Sequence, residues 1–421
     1  MQARHLSLLA ALLFVGCSAP EEPPQLGGAK PLEAIQARVS SFGSNMLGWS
    51  FNPGMLLLGD GRPASDLRLV AVEGVFPQEL VVFAPTLPEV VLRKTLGFWD
   101  GLRSCVLGLT SIDGGERGQS LVLVGYANDV PGVLGLDLGA RTTSQLGSEP
   151  DLYLSEVDGP IEQFEDLDGD GRPEFVASGV RRGDEKKFVF ASSVSGAVVA
   201  RHAAPLLEWP VSSLRRVASR NADLGSGVAF VATERGDELV TSTVGVSWPF
   251  SAHAAWTTSF ESNHRNGLDV ELVSCPDVDG DGVDELLVGA DLRAQTPPHF
   301  GRVSCVSGRS GALLWSAPVC EADVGRCSRM CLVDDRDFDG LRDVLVARPG
   351  APRGHPLVVL STRDGRVIGT LAPPGEASDG FALQVDSALC VDESGGQRCF
   401  VAVGDDGRGV VWLLELEPPQ R

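Results

Sequence analysis

The sequence predicts an all-β fold that is built from repeated units of short strands. Short apolar runs alternate with turn residues, and the 50 glycines and 27 prolines supply the turns that such strands need. An acidic loop recurs ahead of several of these runs, at a nearly regular spacing. No long segment has helical periodicity, and a hydrophobic content of 43% is sufficient for a core.

The clearest acidic loop is Asp277–Glu285, which leads into the apolar run Leu286–Val288. Its acids at positions one, three and five can turn their oxygens onto one hard cation, which takes about six to eight oxygen ligands. Glycines between them allow the tight, partly left-handed backbone path that this wrapping requires. An EF-hand would carry Glu at position twelve and continue into a helix, whereas this loop has Val288 there and continues into a strand.

The same loop pattern occurs three times in the chain. Each copy places acids at positions one, three, five and nine and then enters an apolar strand. A chance acidic loop would not recur with this offset, so the pattern predicts three metal sites. The predicted ligands are Asp166, Asp168, Asp170 and Glu174 in the first loop, Asp277, Asp279, Asp281 and Glu285 in the second, and Asp335, Asp337, Asp339 and Asp343 in the third.

This pattern resembles the FG-GAP repeat, the blade unit of integrin-alpha-type β-propellers and of many bacterial secreted proteins. The resemblance extends over Phe300–Leu314, which matches the repeat's strand, turn, Ser-Gly-x-x-Gly segment and final strand. It implies that Ca2+ binds in these loops on one face of a propeller, held by the carboxylates and a main-chain carbonyl near position seven. The ion would be structural, because it neutralises carboxylates that otherwise repel each other.

The spacing of the loops predicts the number of units. The gap from Asp166 to Asp277 is about twice the gap from Asp277 to Asp335, and a degenerate loop beginning at Asn221 lies midway in the longer gap. This degenerate loop keeps Asn and Asp at positions one and three, but Gly and Ala replace the acids at positions five and nine, and it is expected to bind no calcium. Weaker copies of the unit lie near Ala71, Ile112 and Val391.

Seven units of about four strands each predict a seven-bladed β-propeller over residues 41–418. A ring of six or eight blades also fits these spacings. Met55–Leu58 and Val410–Leu416 are expected to share one blade and so join the two ends of the ring.

The N-terminal segment predicts export. Residues 1–17 combine a charged start, the apolar run Leu6–Val15 and a small residue before Cys17, and so resemble a bacterial lipoprotein signal peptide. Cys17 would be the site of lipid attachment, and Ser18 after it favours the outer membrane of a Gram-negative host. The alternative is an ordinary signal peptide in which Cys17 has no role. Residues 18–40 are rich in proline and glycine and are predicted to form a flexible tether.

Nine cysteines are present, and eight remain if Cys17 is acylated, an even number that suits an oxidising compartment. Cys390 and Cys399 flank a turn and are predicted to pair between neighbouring strands. One disulfide is also expected within a cluster in a single loop; a zinc site is the alternative there, although the cluster lacks a C-x-x-C pair and a nearby histidine. That cluster consists of Cys320, Cys327 and Cys331.

Charge and motifs limit the function. A net charge of −21 argues against a nucleic-acid partner, because nothing supplies a surface that neutralises phosphate. The sequence has no G-x-S-x-G or H-E-x-x-H motif, and its alternating acids fit metal ligation better than glycosidase carboxylates. We therefore predict a non-enzymatic binding, adhesion or scaffold module for a protein or polysaccharide ligand, anchored by lipid and located in the outer membrane, at the cell surface or in the periplasm.

A second resemblance provides the alternative function. Ser307–Trp315 is similar to the Gly-x-x-x-x-Trp turn of quinoprotein-type propellers. Those proteins are enzymes or scaffolds of outer-membrane assembly. Since one unit shows the tryptophan and three show the acidic loop, this interpretation ranks second.

Overall fold

The structure is a computed structural model in which 28 strands and some of their connections are described. The described residues are 30–35, 55–58, 68–73, 79–84, 89–95, 105–113, 120–127, 132–137, 142–146, 161–167, 169, 173–180, 187–192, 198–202, 211–221, 224–235, 240–248, 255–262, 270–291, 301–319, 329–348, 356–372, 381–393, 396–405 and 410–416.

The described residues form seven four-stranded antiparallel sheets, so the all-β class predicted from the sequence is confirmed. In six sheets the strand order follows the chain: β2–β5 (Met55–Leu58, Arg68–Glu73, Glu79–Ala84, Glu89–Thr95), β6–β9 (Cys105–Asp113, Ser120–Ala127, Gly132–Asp137, Thr142–Leu146), β10–β13 (Glu162–Gln163, Phe175–Val180, Lys187–Ser192, Val198–His202), β14–β17 (Val211–Val217, Gly227–Arg235, Val240–Ser247, Trp256–Ser262), β18–β21 (Val270–Cys275, Glu285–Asp291, Gly301–Val306, Leu313–Pro318) and β22–β25 (Met330–Leu332, Val344–Ala347, Leu357–Leu360, Val367–Leu371). Within this part of the chain, no helix has the length and apolarity to cross a membrane.

The seventh sheet contains both ends of the described chain. It consists of β26 (Phe381–Glu393), β27 (Gly396–Asp405), β28 (Val410–Leu416) and, outside β28, the N-terminal strand β1 (Lys30–Ile35). β1 runs antiparallel to β28, with Ile35 opposite Val411 and Lys30 opposite Glu415.

Two expectations about the chain ends are therefore wrong. Residues 18–40 are predicted to be a flexible tether, but Lys30–Ile35 form β1, because their backbone groups pair with the edge that β28 would otherwise leave open. Met55–Leu58 are predicted to share a blade with Val410–Leu416, but they form β2 and begin the next sheet. The remainder of the tether, residues 18–29 and 36–40, and the signal segment 1–17 lie outside the described residues.

If β26 is counted as the first strand of the seventh sheet, in which β1 is the opposite edge strand, the first strands of the seven sheets contact one another in a closed cycle. Each of β2, β6, β10, β14, β18 and β22 contacts the first strand of the following sheet, and β26 contacts β2. This arrangement is consistent with the blades of a β-propeller, in which the first strands surround the central axis.

The three acidic loops occupy the same position in their sheets, between the first and second strands. The unit near Ala71 is misaligned in the sequence: Glu79–Ala84 resemble Glu285–Ala290, the strand that follows the second loop, and so predict the second strand of this sheet, but they form β4, the third strand. Arg68–Glu73 form the second strand instead. The alignment fails because two neighbouring strands of this sheet carry similar apolar runs, so that either one matches the pattern.

The strands that follow the second and third loops, β19 over residues 285–289 and β23, are buried on both faces, which explains their continuous apolar runs. On β19, Leu286 and Val288 pack in a cluster with Val217 and Val231 of the preceding sheet. Leu287, between them, points to the opposite face and packs in a cluster with residues of the following sheet, among them Met330, Val344 and Val358. The period of two along the strand thus places successive side chains in two different cores.

Two tryptophans connect neighbouring sheets. The indole N–H of Trp256, on β17, donates to the carbonyl of Gly308 in the turn between β20 and β21, at 2.8 Å. Trp315, on β21, donates in the same way to Thr362 in the corresponding turn of the next sheet, also at 2.8 Å. The two rings lie against Gly311 and Gly365, where a Cβ atom would come within 2.6 Å and 2.5 Å of the indole.

One disulfide is present among the described residues. It joins Cys390 on β26 to Cys399 on β27, the pair expected from the sequence, and the two residues lie directly opposite each other in the strand register. Cys331 is buried in β22, and its candidate partners Cys320 and Cys327 lie outside the described residues.

Candidate metal centres

The loop between β18 and β19 folds around its own carboxylates. The two oxygens of Asp277 accept hydrogen bonds from the N–H groups of Gly280, at 2.7 Å, and Gly282, at 3.0 Å. Asp279 accepts from the N–H of Asp281 at 3.0 Å. Gly280 and Gly282 have φ angles of 82° and 85°, the left-handed region that glycine adopts without steric penalty. The spacing of the acids and glycines therefore produces a tight loop that brings its carboxylates together.

The position-nine acid of this loop closes its beginning onto β19. Glu285 is completely buried, and its carboxylate accepts hydrogen bonds from the N–H groups of Val278, at 2.7 Å, and Asp279, at 3.2 Å. Oxygens of Asp277, Asp279 and Glu285 lie within 4.8 Å of one another. Oxygens that bind one calcium ion at about 2.3–2.6 Å are separated by distances of this size.

Burial raises the pKa of Glu285 to about 7. The N–H groups of Val278 and Asp279 lower the pKa in part, and the charges of Asp279 and Asp277 raise it further. This environment disfavours a negative charge on the Glu285 carboxylate, and a bound cation would favour that charge instead.

The loop between β22 and β23 gathers its acids in a similar way. Asp335 accepts hydrogen bonds from Gly340 N–H, at 2.8 Å, and from Asp339 N–H, at 3.2 Å. Asp339 in turn accepts from Leu341 N–H at 2.8 Å. Oxygens of Asp335, Asp337 and Asp339 lie within 4.8 Å of one another.

Asp343 holds position nine of this third loop and is also completely buried. Its Oδ2 accepts a hydrogen bond from Arg336 N–H at 2.6 Å, whereas its Oδ1 has no hydrogen-bond partner. Burial raises the pKa of Asp343 to about 7, and the charges of Asp337, Asp335 and Asp339 add to this effect. A buried carboxylate oxygen without a donor, beside three other carboxylates, is an atom that a cation would satisfy.

Only part of the first loop, between β10 and β11, is described. Asp166 accepts a hydrogen bond from Gly169 N–H at 2.7 Å, and the buried Glu174 accepts from Leu167 N–H at 2.5 Å. These two contacts repeat those of the first and ninth positions in the second loop. Asp168 and Asp170 lie outside the described residues.

The predicted ligands are thus brought together in different sets. In the second loop the close oxygens belong to positions one, three and nine, and in the third loop to positions one, three and five. Asp281 and Asp343 lie outside these groups, although they belong to the same loops. The oxygen-only donor set of both groups suits a hard cation.

The connection that contains the degenerate loop at Asn221 is hydrogen-bonded to both neighbouring sheets through its described residues. Arg220 N–H donates to the carbonyl of Gly282 at 2.7 Å, and Asp284 N–H donates to the carbonyl of Ala218 at 2.8 Å. On its other side, Ser226 donates to Glu165 of the preceding sheet from its N–H, at 2.9 Å, and its hydroxyl, at 2.7 Å. The loop has therefore become a connection between sheets.

Two arginines at the third loop are not predicted from the sequence. Arg363 Nε lies 2.8 Å from Asp339 Oδ2, and Arg366 Nη2 lies 2.9 Å from Asp337 Oδ2. Both arginines come from the turn between β24 and β25, in a part of the unit that the loop pattern does not include. Arg309 occupies the same turn position in the preceding sheet but forms no ion pair with a described residue, so the repeated arginine is not a sequence signal for these contacts.

Comparisons with known proteins identify no family. No protein-family model matches the sequence, and neither does any curated protein. Solved structures that resemble the chain include Bacillus licheniformis rhamnogalacturonan lyase PL11, which is 11% identical over 85% of this chain and 74% of that chain, with a TM-score of 0.35. Rhamnogalacturonan lyase YesW is also 11% identical, over 90% of this chain and 76% of that chain, with a TM-score of 0.36. Likeness at this TM-score carries no argument about the activity of this chain.

Proposed function

We propose that this chain is a seven-bladed, calcium-binding β-propeller that serves as a ligand-binding, adhesion or scaffold module. The proposal rests on one observation above all: equivalent loops of two consecutive sheets each bring three carboxylate oxygens within 4.8 Å of one another. The closed cycle of contacts among the seven first strands supports a ring of seven blades.

The donor set favours calcium over other metals. The second and third loops offer carboxylates and backbone carbonyls, without the histidine or cysteine ligands that zinc prefers. Magnesium demands stricter octahedral geometry and retains several waters, whereas calcium tolerates an irregular set of oxygen ligands. Affinity on the order of 10⁻⁴–10⁻³ M, as in extracellular calcium modules, is expected.

Calcium would have a structural role in these loops. It would place a positive charge beside the buried carboxylates of Glu285, at the beginning of β19, and Asp343, just before β23. The second loop is hydrogen-bonded to the connection between β14 and β15 of the preceding sheet, and the third loop to the turn between β24 and β25 of its own sheet, so holding the loops would also hold these contacts. The acids are thereby assigned to a metal, and we propose no catalytic reaction for them.

Export and a surface location complete the proposal. The disulfide between Cys390 and Cys399 supports an oxidising compartment, where such bonds persist. The N-terminal segment, with Cys17 as the lipid attachment site, would anchor the propeller to the outer membrane, at the cell surface or facing the periplasm. The partner would be a protein or a polysaccharide and not a nucleic acid, since the chain carries a net charge of −21.

A quinoprotein-like scaffold of outer-membrane assembly is the second candidate. The contacts of Trp256 and Trp315 favour it, because the turn-and-tryptophan contact occurs at two consecutive boundaries between sheets. The two candidates differ in their dependence on calcium, since the scaffold candidate needs no ion in the acidic loops.

Thermal unfolding of a soluble chain that begins at Ser18, without the lipid anchor, tests the proposal. Calcium is expected to raise the Tm over that in chelator, with a dependence on calcium concentration that follows the binding affinity. Magnesium at equal ionic strength is the control, and Asp279→Asn with Asp337→Asn should remove most of the shift. An identical Tm in calcium and in chelator would contradict the calcium function and leave the scaffold candidate.

A further inference from the structure

The second and third loops differ in what neutralises their carboxylates. At the third loop, the guanidinium groups of Arg363 and Arg366 contact Asp339 and Asp337, and Arg363 also donates to the carbonyl of Asp339 at 2.8 Å. Asp337 and Asp339 therefore already have cationic partners. At the second loop, no described residue forms an ion pair with the carboxylates at positions one, three and five.

A well-anchored turn presents the two arginines. Gly365 N–H donates to the carbonyl of Ser361 at 2.9 Å, and Ser361 N–H donates to the carbonyl of Arg366 at 2.9 Å. The hydroxyl of Thr362 donates to the carbonyl of Arg342, in the third loop itself, at 2.8 Å. The backbone of the turn is thus fixed beside the loop. The arginine side chains are 52% and 59% exposed and have room to swing away into solvent.

The preceding sheet provides a natural comparison. Its turn has Arg309 where the sheet of the third loop has Arg363, and Ala312 where that sheet has Arg366. Arg309 is exposed and makes no ion pair with a described residue. The two loops therefore share their pattern of acids and differ in whether arginines of the neighbouring turn pair with those acids.

We propose that Arg363 and Arg366 are built-in counter-ions of the third loop, and that calcium must displace them from Asp339 and Asp337 in order to bind there. This inference rests on the proposed calcium function. Two guanidinium groups supply the same total charge as one calcium ion, so when calcium is absent they offset as much of the loop's negative charge as the ion would. The buried Oδ1 of Asp343, which has no hydrogen-bond partner, is left for the incoming ion.

The competition has two consequences. The third loop should bind calcium more weakly than the second, because the ion has to break two ion pairs. It should also keep its conformation in chelator, whereas the second loop should loosen. Exposed ion pairs are weak enough for calcium at millimolar concentrations to displace them.

Calorimetric calcium titration of the full mature chain tests the inference. Asp168→Asn and Asp279→Asn disable the first and second loops, so that the remaining binding belongs to the third. Adding Arg363→Gln and Arg366→Gln to this background is expected to tighten binding about threefold to tenfold, the size that two exposed ion pairs predict. Arg309→Gln is the matched control and should leave the affinity of the third loop unchanged.

The outcomes separate this inference from the proposed function. If the wild-type chain binds calcium but removal of the arginines leaves the affinity of the third loop equal or lower, the arginines position the ligands and the inference is overturned. If neither the wild-type chain nor any variant binds calcium, the proposed function fails and the inference fails with it.

If the Arg363→Gln, Arg366→Gln double variant folds poorly, a single variant and a stability measurement test the inference instead. Arg366→Gln alone breaks only the contact with Asp337, and a tighter third loop in this single variant also supports the inference. Its Tm should fall in chelator and recover in calcium. An equal fall in both conditions, without tighter binding, would show that Arg366 only stabilises the fold.

Discussion

The acids at position nine have the same surroundings in all three loops. Glu174, Glu285 and Asp343 are each completely or almost completely buried, and each accepts a hydrogen bond from the N–H group at position two of its loop. Their carboxylates therefore close the loop onto the second strand as well as facing the other acids. Because each of these acids has both roles, its substitution should affect both the folding of the loop and its metal binding.

The stability of the metal-free protein should depend on pH through these residues. The folded-state pKa values of Glu285 and Asp343 are about 7, above their ordinary values of 4.5 and 3.8. The folded protein thus retains protons that the unfolded chain has released, so this contribution to stability is full below the ordinary values and is lost as the pH rises through about 7. Urea denaturation in chelator should give a larger free energy of unfolding at about pH 5 than at about pH 8.

Saturating calcium should remove this decline, because the ion keeps the carboxylates charged in the folded state. Glu285→Gln with Asp343→Asn is the control, since these side chains do not titrate and should flatten the profile in chelator. A decline of equal size with and without calcium would contradict the assignment of the acids to metal sites.

At the level of the element, the turn between the third and fourth strands has two functions. One side of it lies beside the acidic loop of its own sheet, as the hydrogen bond from Thr362 to Arg342 shows. The other side receives the tryptophan of the preceding sheet, as Trp315 does with Thr362. A glycine with positive φ, Gly311 or Gly365, is needed because a Cβ atom would collide with the indole ring.

Trp315→Phe should therefore destabilise the protein by about 1–3 kcal/mol, because the buried carbonyl of Thr362 loses its donor. Trp256→Phe should have a similar effect through Gly308. Leu313→Ala, on the same strand as Trp315 but 63% exposed, should change stability little. Urea denaturation measures all three, and equal effects of Trp315→Phe and Leu313→Ala would show that the indole contact contributes nothing.

At the scale of the whole molecule, much of the repeat can be predicted from the sequence. The spacing from Asp277 to Asp335 correctly locates two loops and the strands after them, because loop and strand are adjacent in the chain. The pairing of Lys30–Ile35 with β28 is missed, since its partner lies at the far end of the chain and leaves no local signal. The ion pairs of Arg363 and Arg366 are missed for a related reason: they depend on how a turn folds back onto a loop.

Removal of β1 tests the closure of the seventh sheet. A chain that begins at Arg38 should be less stable than one that begins at Ser18 by about 3 kcal/mol, since β28 loses its backbone partners along one edge. The exposed edge should also promote association between molecules. Thermal unfolding and light scattering measure the two effects, and a monomer of unchanged Tm would show that β1 is dispensable.

The pairing of β1 with β28 also determines the order of events during synthesis. β1 is the first of the described strands to be made, and β28 is the last, so the seventh sheet cannot be completed until almost the whole chain has emerged. This contact has the largest sequence separation of any strand pair described, and contacts of this kind form late because a long loop must close first. Pulsed hydrogen exchange during refolding should find the amides of β1 and β28 protected after those of β18–β21, and earlier protection would refute this order. Until that final step, the other six sheets are formed by strands that are neighbours in the chain, and β1, although it is made first, has to wait for β28 as its partner.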